Sequence, residues 1–166
     1  MNAKQPILFV DDDPEWLAGV RRRFRNKYRI DIANGPVRAL EAVTEQGPYA
    51  VIVSDMVMAG LDGVTLFGRL RQACPETVRI LLTGHADLAM AVAAVNTGAV
   101  FRLLQKPCPE EELDAALGAA VALHAQTTAE KAFLKGALRG IIKVLSDLLG
   151  LLNAEAQGQT WRIKRL

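Results

Sequence analysis

The strongest restriction on how this 166-residue chain can fold is a repeated kind of ending: short runs rich in Val, Ile and Leu that each close on a charged or hydroxyl residue. Residues 7–10 lead into Asp11-Asp12-Asp13, the run Tyr49-Ala50-Val51-Ile52-Val53-Ser54 into Asp55, Leu81-Leu82 into Thr83-Gly84, and Leu103-Leu104-Gln105 into Lys106-Pro107. Apolar runs of this length, separated by longer amphipathic stretches, are the pattern of strand-helix units around a buried parallel sheet. In such a sheet ligands bind beyond the carboxyl ends of the strands, so four polar clusters far apart in sequence can meet in one crevice.

The expected strands are 7–10, 29–33, 50–54, 78–82 and 101–104, with helices at about 14–27, 36–46, 62–73 and 87–97. Helix starts are marked by Asp13-Pro14, Gly35-Pro36, Asp62-Gly63 and Asp87,. A fifth helix is expected after Pro109, where Glu110, Glu111 and Glu112 suit the positive end of a helix dipole,. Right-handed crossovers then predict an α/β, doubly wound five-stranded parallel sheet in a three-layer sandwich, with a first domain over 1–126. From Thr127 no strand signal remains, and 129–152 reads as one long helix. Leu134, Leu138, Ile141, Leu145, Leu148 and Leu152 alternate steps of four and three, the spacing of a coiled-coil seam,. Ile142, Val144, Leu149 and Leu151 widen that seam, so the helix needs a partner: a second copy, giving a homodimer through 127–152, or a further domain that 127–166 opens,.

Composition excludes several classes. At 51% hydrophobic and 5% aromatic the core must be aliphatic, and 20 basic against 18 acidic residues leave only +2, too little for a surface given over to nucleic acid or anionic lipid,. Cys74 and Cys108 are isolated and lack metal-ligand spacing, which fits a reduced, cytoplasmic protein,. The N-terminus has no signal-peptide pattern and no apolar stretch reaches membrane-spanning length, so a soluble chain without membrane contact is expected. The basic run Arg21, Arg22, Arg23, Arg25 and Lys27 reads as a solvated helix face, and His85 and His124 have no partner at metal-ligand spacing,.

Carboxylates at neighbouring strand ends form a hard oxygen site suited to Mg2+. They repel one another when empty, and a cation there also neutralises an incoming phosphoryl group, which lets one carboxylate act as nucleophile. Asp55 is that candidate, because it stands alone at the end of the central strand. Lys106 and Thr83 are the ammonium and hydroxyl that would stabilise charge on the phosphoryl oxygens.

These segments resemble, in order and spacing, the receiver domain of two-component response regulators over roughly residues 5–125. The carrying residues are Ile7-Leu8-Phe9-Val10-Asp11-Asp12-Asp13-Pro14, Ser54-Asp55-Met56-Val57-Met58-Ala59-Gly60-Leu61-Asp62-Gly63, Leu81-Leu82-Thr83-Gly84-His85-Ala86 and Leu103-Leu104-Gln105-Lys106-Pro107. The resemblance implies a flavodoxin-like sheet of strand order 2-1-3-4-5 and phosphoryl transfer from a histidine kinase or phosphotransfer protein to Asp55. It implies Mg2+ held by Asp12, Asp55 and the backbone carbonyl of Val57, with Asp11 assisting through water, and a cis Lys106-Pro107 bond. Thr83 and Lys106 would take the phosphoryl oxygens. Ala59 stands where the family usually has proline, and Leu103 occupies the aromatic switch position, with Phe101 nearby. Val57 and His85 flank the path of attacking water by the same analogy, and an apolar Val57 predicts a long-lived phosphoform.

The tail from Glu130-Lys131 to Arg162-Ile163-Lys164-Arg165-Leu166 resembles response regulators that continue into an HD-type phosphohydrolase output domain, although the metal-binding His-Asp pair is absent here. One rival is a haloacid-dehalogenase-type phosphatase, which would use Asp11-Asp12-Asp13, Thr83 and Lys106 but leaves Asp55 without a role. The other is a dimerising scaffold that works without phosphate. No helix-turn-helix pattern follows residue 125, so direct nucleic-acid binding is not expected.

Overall fold

The computed structural model describes residues 4–84, 88–96 and 99–163, and it divides into two compact units, Met1–Thr127 and Thr128–Leu166. The first unit runs β1 (Pro6–Asp11), α1 (Pro14–Phe24), β2 (Arg29–Asn34), α2 (Pro36–Gln46), β3 (Val51–Asp55), α3 (Gly63–Ala73), β4 (Val78–Thr83), α4 (Leu88–Asn96) and β5 (Arg102–Gln105). It closes with the beginning of α5 (Glu110–Ile163), a helix of 54 residues.

The strands form one parallel sheet in the order β2-β1-β3-β4-β5, as expected. Because successive side chains of a strand point to opposite faces, each strand feeds two cores. Ile7, Phe9, Val51, Val53, Ile80 and Leu82 pack with Leu17, Val20 and Phe24 of α1 and with Leu113, Ala116, Leu117 and Ala120 of α5. Their neighbours Leu8, Val10, Ile52 and Leu81 pack with Leu66, Phe67 and Leu70 of α3 and with Ala39 of α2 and Ala94 of α4. Burying each such aliphatic side chain contributes about 1.5–3 kcal/mol, and the central strands are buried on both faces. That is why they read as unbroken apolar runs.

Several boundaries differ from the expectations. The first helix ends at Phe24, the last of its buried residues, and the chain then turns: the N–H groups of Lys27 and Tyr28 donate to the Phe24 carbonyl. The third helix begins at Gly63, because Asp62 is its N-cap and accepts from Thr65 N at 2.8 Å. Strand β5 starts at Arg102, which leaves Phe101 outside it and 38% exposed, while Leu103 packs against the second core. His85 and Asp87 lie outside the described residues. The fifth helix and the tail helix, expected as two, are one continuous helix, since no proline interrupts 110–163,. The basic run Arg21, Arg22, Arg23, Arg25 and Lys27, at the end of α1 and in the turn after it, is exposed as read from sequence.

In the second unit the residues 128–163 are helical, and the seam residues Leu134, Leu138, Ile141, Leu145 and Leu148 are each at least half exposed. Among the described residues no helix is long and apolar enough to cross a membrane.

Candidate functional site

Val10 pairs with Ser54 in the sheet, so Asp11 and Asp55 are the next residues of two adjacent strands and reach the same level. Asp55 closes β3, in the middle of the sheet, with Leu82 opposite it; Thr83 closes β4 with Gln105 opposite. Lys106 follows β5 directly, and its backbone N–H donates to the Thr83 carbonyl at 2.8 Å. Each polar residue therefore occupies the first position beyond, or the last within, a different strand. Four of the positions singled out in the sequence, Asp11, Asp12, Asp55 and Lys106, come together at this edge.

Lys106 joins the acids. Its Nζ lies 2.8 Å from Asp11 Oδ2 and 3.1 Å from Asp55 Oδ2. Asp11 is buried and its other oxygen accepts from the Asp13 N–H at 2.9 Å. Asp12 is exposed at the rim, and Asp11, Asp12 and Asp55 present carboxylate oxygens that all lie within 4.8 Å of one another. Asp13 is spent differently: its carboxylate caps α1 by accepting from the N–H groups of Glu15 and Trp16,. Thr83 is fully buried, with its hydroxyl donating to the Gly84 carbonyl at 3.1 Å. The Lys106–Pro107 peptide is cis, as expected, and so is Gly47–Pro48, which the sequence did not signal.

Electrostatics follow from this crowding. Burial pushes the Asp55 carboxyl above its ordinary 3.8; the charge and hydrogen bond of Lys106 pull it down, the charge of Asp11 pushes it up, and the net direction is up,. For Lys106 burial works downward, but the hydrogen bond to Asp11 and the charges of Asp55 and Asp11 outweigh it, so the ammonium is held more firmly than in water. Among the described residues one ammonium, paired with Asp11 and Asp55, stands beside three carboxylates, which leaves the site short of positive charge. Three hard oxygen donors at this spacing, with one carboxylate at the solvent rim, fit Mg2+, which keeps several waters and takes few protein ligands,.

Gly63 controls how closely α3 approaches Asp55. A Cβ there would run into the Asp55 carbonyl oxygen, so only glycine lets the helix start against the end of β3,. The loop between them also turns at Gly60, whose φ of 89° is a left-handed conformation that glycine adopts without strain,. Sequence reasoning missed Trp16, whose ring lies 5.3 Å from Lys106 Nζ. Its position in the first turn of α1, three residues after the acidic triplet, was the available signal.

Residues 7–118 match the family model of the response regulator receiver domain. The chain belongs to that family. Among curated relatives, the receiver resembles the C4-dicarboxylate transport transcriptional regulatory protein DctD of Pseudomonas aeruginosa, at 33% identity over 119 residues, covering 68% of this chain and 24% of that protein. It also resembles the hydrogenase transcriptional regulatory protein HoxA of Cupriavidus necator, at 31% identity, covering 68% of this chain and 23% of the relative. The chain thus spans less than a quarter of the length of either. Among solved structures, the signal receiver domain of an HD domain-containing protein from Pseudomonas fluorescens Pf-5 superposes with a TM-score of 0.71 at 29% identity, covering 78% of this chain and 95% of that one. Receivers are signalling domains and not enzymes in the ordinary sense, and as a family they bind Mg2+ at an acidic pocket and work with histidine kinases or phosphotransfer proteins. Family membership and the capping role of Asp13 remove the haloacid-dehalogenase rival, which needed the acidic triplet as its catalytic pair.

Proposed function

We propose that this receiver takes a phosphoryl group from a histidine kinase or phosphotransfer protein onto Asp55, with Mg2+, and passes the signal to residues 127–166. The observation that carries the proposal is the pairing of Lys106 with both Asp11 and Asp55 beside a cluster of three carboxylates. Asp12, Asp55 and the backbone carbonyl of Val57 would hold the ion, with Asp11 assisting through water. Bound there, the ion supplies positive charge against the crowded carboxylates and the phosphoryl oxygens.

The chain's own groups do the rest. A carboxylate oxygen of Asp55 attacks phosphorus, the P–N bond to the donor histidine breaks, and its electron pair stays on the imidazole, which picks up a proton. Lys106, already 3.1 Å from Asp55, neutralises charge on the phosphoryl oxygens without a long movement,. Thr83 turns its hydroxyl from the Gly84 carbonyl to a phosphoryl oxygen and so registers that phosphate has arrived,. Val57, 57% exposed and apolar, offers no hydrogen bond to a water attacking the acyl phosphate, which favours a long-lived phosphoform.

Residues 127–152 act as the dimerisation segment, because Leu138, Ile141, Leu145 and Leu148 are exposed at heptad spacing and self-pairing would cover them,. An HD-type phosphohydrolase output is the favoured continuation, supported by the tail's resemblance and by the solved receiver of an HD domain-containing protein. A cytoplasmic location, with neither nucleic acid nor membrane as a direct partner, completes the reading.

Labelling with a small phosphodonor such as phosphoramidate tests the central claim. Wild type should gain one acyl phosphate, lost in Asp55→Asn and retained in Asp13→Asn. A label that persists in Asp55→Asn and maps to Asp11 would overturn the assignment.

A further inference from the structure

We propose that Trp16 is a positioning residue for Lys106, holding its ammonium beside Asp55 through the face of the indole ring. The inference rests on the phosphoacceptor reading above and adds to it a residue which that reading does not use. The Lys106 Nζ lies 5.3 Å from the centroid of the Trp16 ring, inside the range of about 6 Å over which an aromatic face attracts a cation,. Asp11 and Asp55 are the other partners of that nitrogen among the described residues. Among the described residues, two carboxylates and one aromatic face therefore surround that nitrogen.

The ring is itself held. Phe9 meets it edge-on with centroids 6.0 Å apart, Asp13 accepts from the Trp16 backbone N–H, and Val20, Phe24, Pro107 and Leu113 line the same small cavity. Lys106 has the longer, more flexible side chain of the pair. Its side chain is 32% exposed and carries a long flexible stem, so fixing it beside both carboxylates costs rotamer freedom that a third partner helps to offset,. A leucine or isoleucine at position 16 would fill space in the cavity and attract no cation. Trp16 therefore keeps the ammonium where phosphoryl oxygens arrive, and the benefit is one of preorganisation.

Fluorination of the indole separates this role from mere packing, because fluorine drains electron density from the ring face with little change in size. The chain has two tryptophans, so the experiment uses the full chain with Trp161→Phe and incorporates mono-, di- and trifluorotryptophan at position 16. Labelling by phosphoramidate should slow stepwise along the series, by about two- to fivefold at its end, while thermal midpoints stay level. Trp16→Phe should label faster than Trp16→Leu. A labelling rate independent of fluorine number, or equal rates for the Phe and Leu variants, overturns the proposal. A second readout needs no phosphodonor: Lys106→Met should shift the emission of Trp16, and unchanged emission denies the contact. If the unfluorinated protein takes no label at all, the phosphoacceptor reading falls, and the emission arm still decides whether Trp16 holds Lys106.

Discussion

Lys106 reaches back 95 residues to Asp11 and donates to its Oδ2 at 2.8 Å, closer than its 3.1 Å approach to Asp55. Asp11 is buried at the end of β1, so the lysine enters the site already anchored on the most buried of its acids. Asp55 shares that ammonium as the second acceptor. Its carboxyl is left with a raised pKa because burial outweighs the part of the lysine it holds.

That imbalance predicts a pH signature in metal-free buffer. An acid whose pKa rises on folding binds its proton more tightly in the folded state, so ionising it costs stability. The cost is complete above the raised value and disappears as pH falls to the ordinary 3.8,. Asp55→Asn cannot ionise and should melt above wild type at neutral pH,. The difference should shrink toward zero as the buffer is acidified, read by thermal melting with EDTA present. A gap that widens on acidification contradicts the assigned direction.

Gly63→Ala should be costly out of proportion to one methyl group. The added Cβ meets the Asp55 carbonyl oxygen and the Leu81 side chain, so either α3 retreats or the end of β3 shifts. We expect a loss of about 1–3 kcal/mol in urea unfolding, together with slower labelling of Asp55. Gly68→Ala, on the same helix with open space around it, serves as the control and should be neutral or slightly stabilising,.

Replacing Val57 tests the lifetime of the phosphoform. Val57→Asn places an amide two residues beyond Asp55, where it can orient a water that valine cannot. Loss of acyl phosphate after the donor is removed should speed up roughly tenfold, a modest effect for a group that positions a reacting water. A wild-type half-life of seconds would remove the basis for this expectation.

The tail can be tested apart from the chemistry. Leu138 and Leu145 are 59% and 54% exposed at seam positions one heptad apart. Leu138→Lys with Leu145→Lys should convert a dimer to a monomer by light scattering while leaving Asp55 labelling unchanged. A wild type that is monomeric at every concentration measured contradicts self-pairing.

Much of the first unit was legible in the sequence because parallel strands buried on both faces must be apolar throughout, and their ends must then be punctuated by what the site needs. Asp55 was readable as the lone acid after Tyr49-Ala50-Val51-Ile52-Val53-Ser54, and Thr83 and Lys106 as the matching ends of β4 and β5. Asp13 was harder, since an acid before Pro14 can cap a helix or bind a cation, and only its hydrogen bonds to Glu15 and Trp16 separate it from Asp11 and Asp12. The division at Thr127 into two helices was misread. A change of composition there carried no signal that the backbone hydrogen bonding stops, and α5 runs through it.

The sequence by itself determined the layer pattern, the strand ends and the acids, hydroxyl and lysine that sit on them, since these depend on local periodicity and residue chemistry. Tertiary structure alone decided which of those groups meet. Lys106 is shared between Asp11 and Asp55, Gly63 admits α3 to the end of β3, and Trp16 lies over the ammonium. Each of these contacts joins residues on different elements, and their distances follow from sheet register and helix packing, which no local stretch of chain specifies.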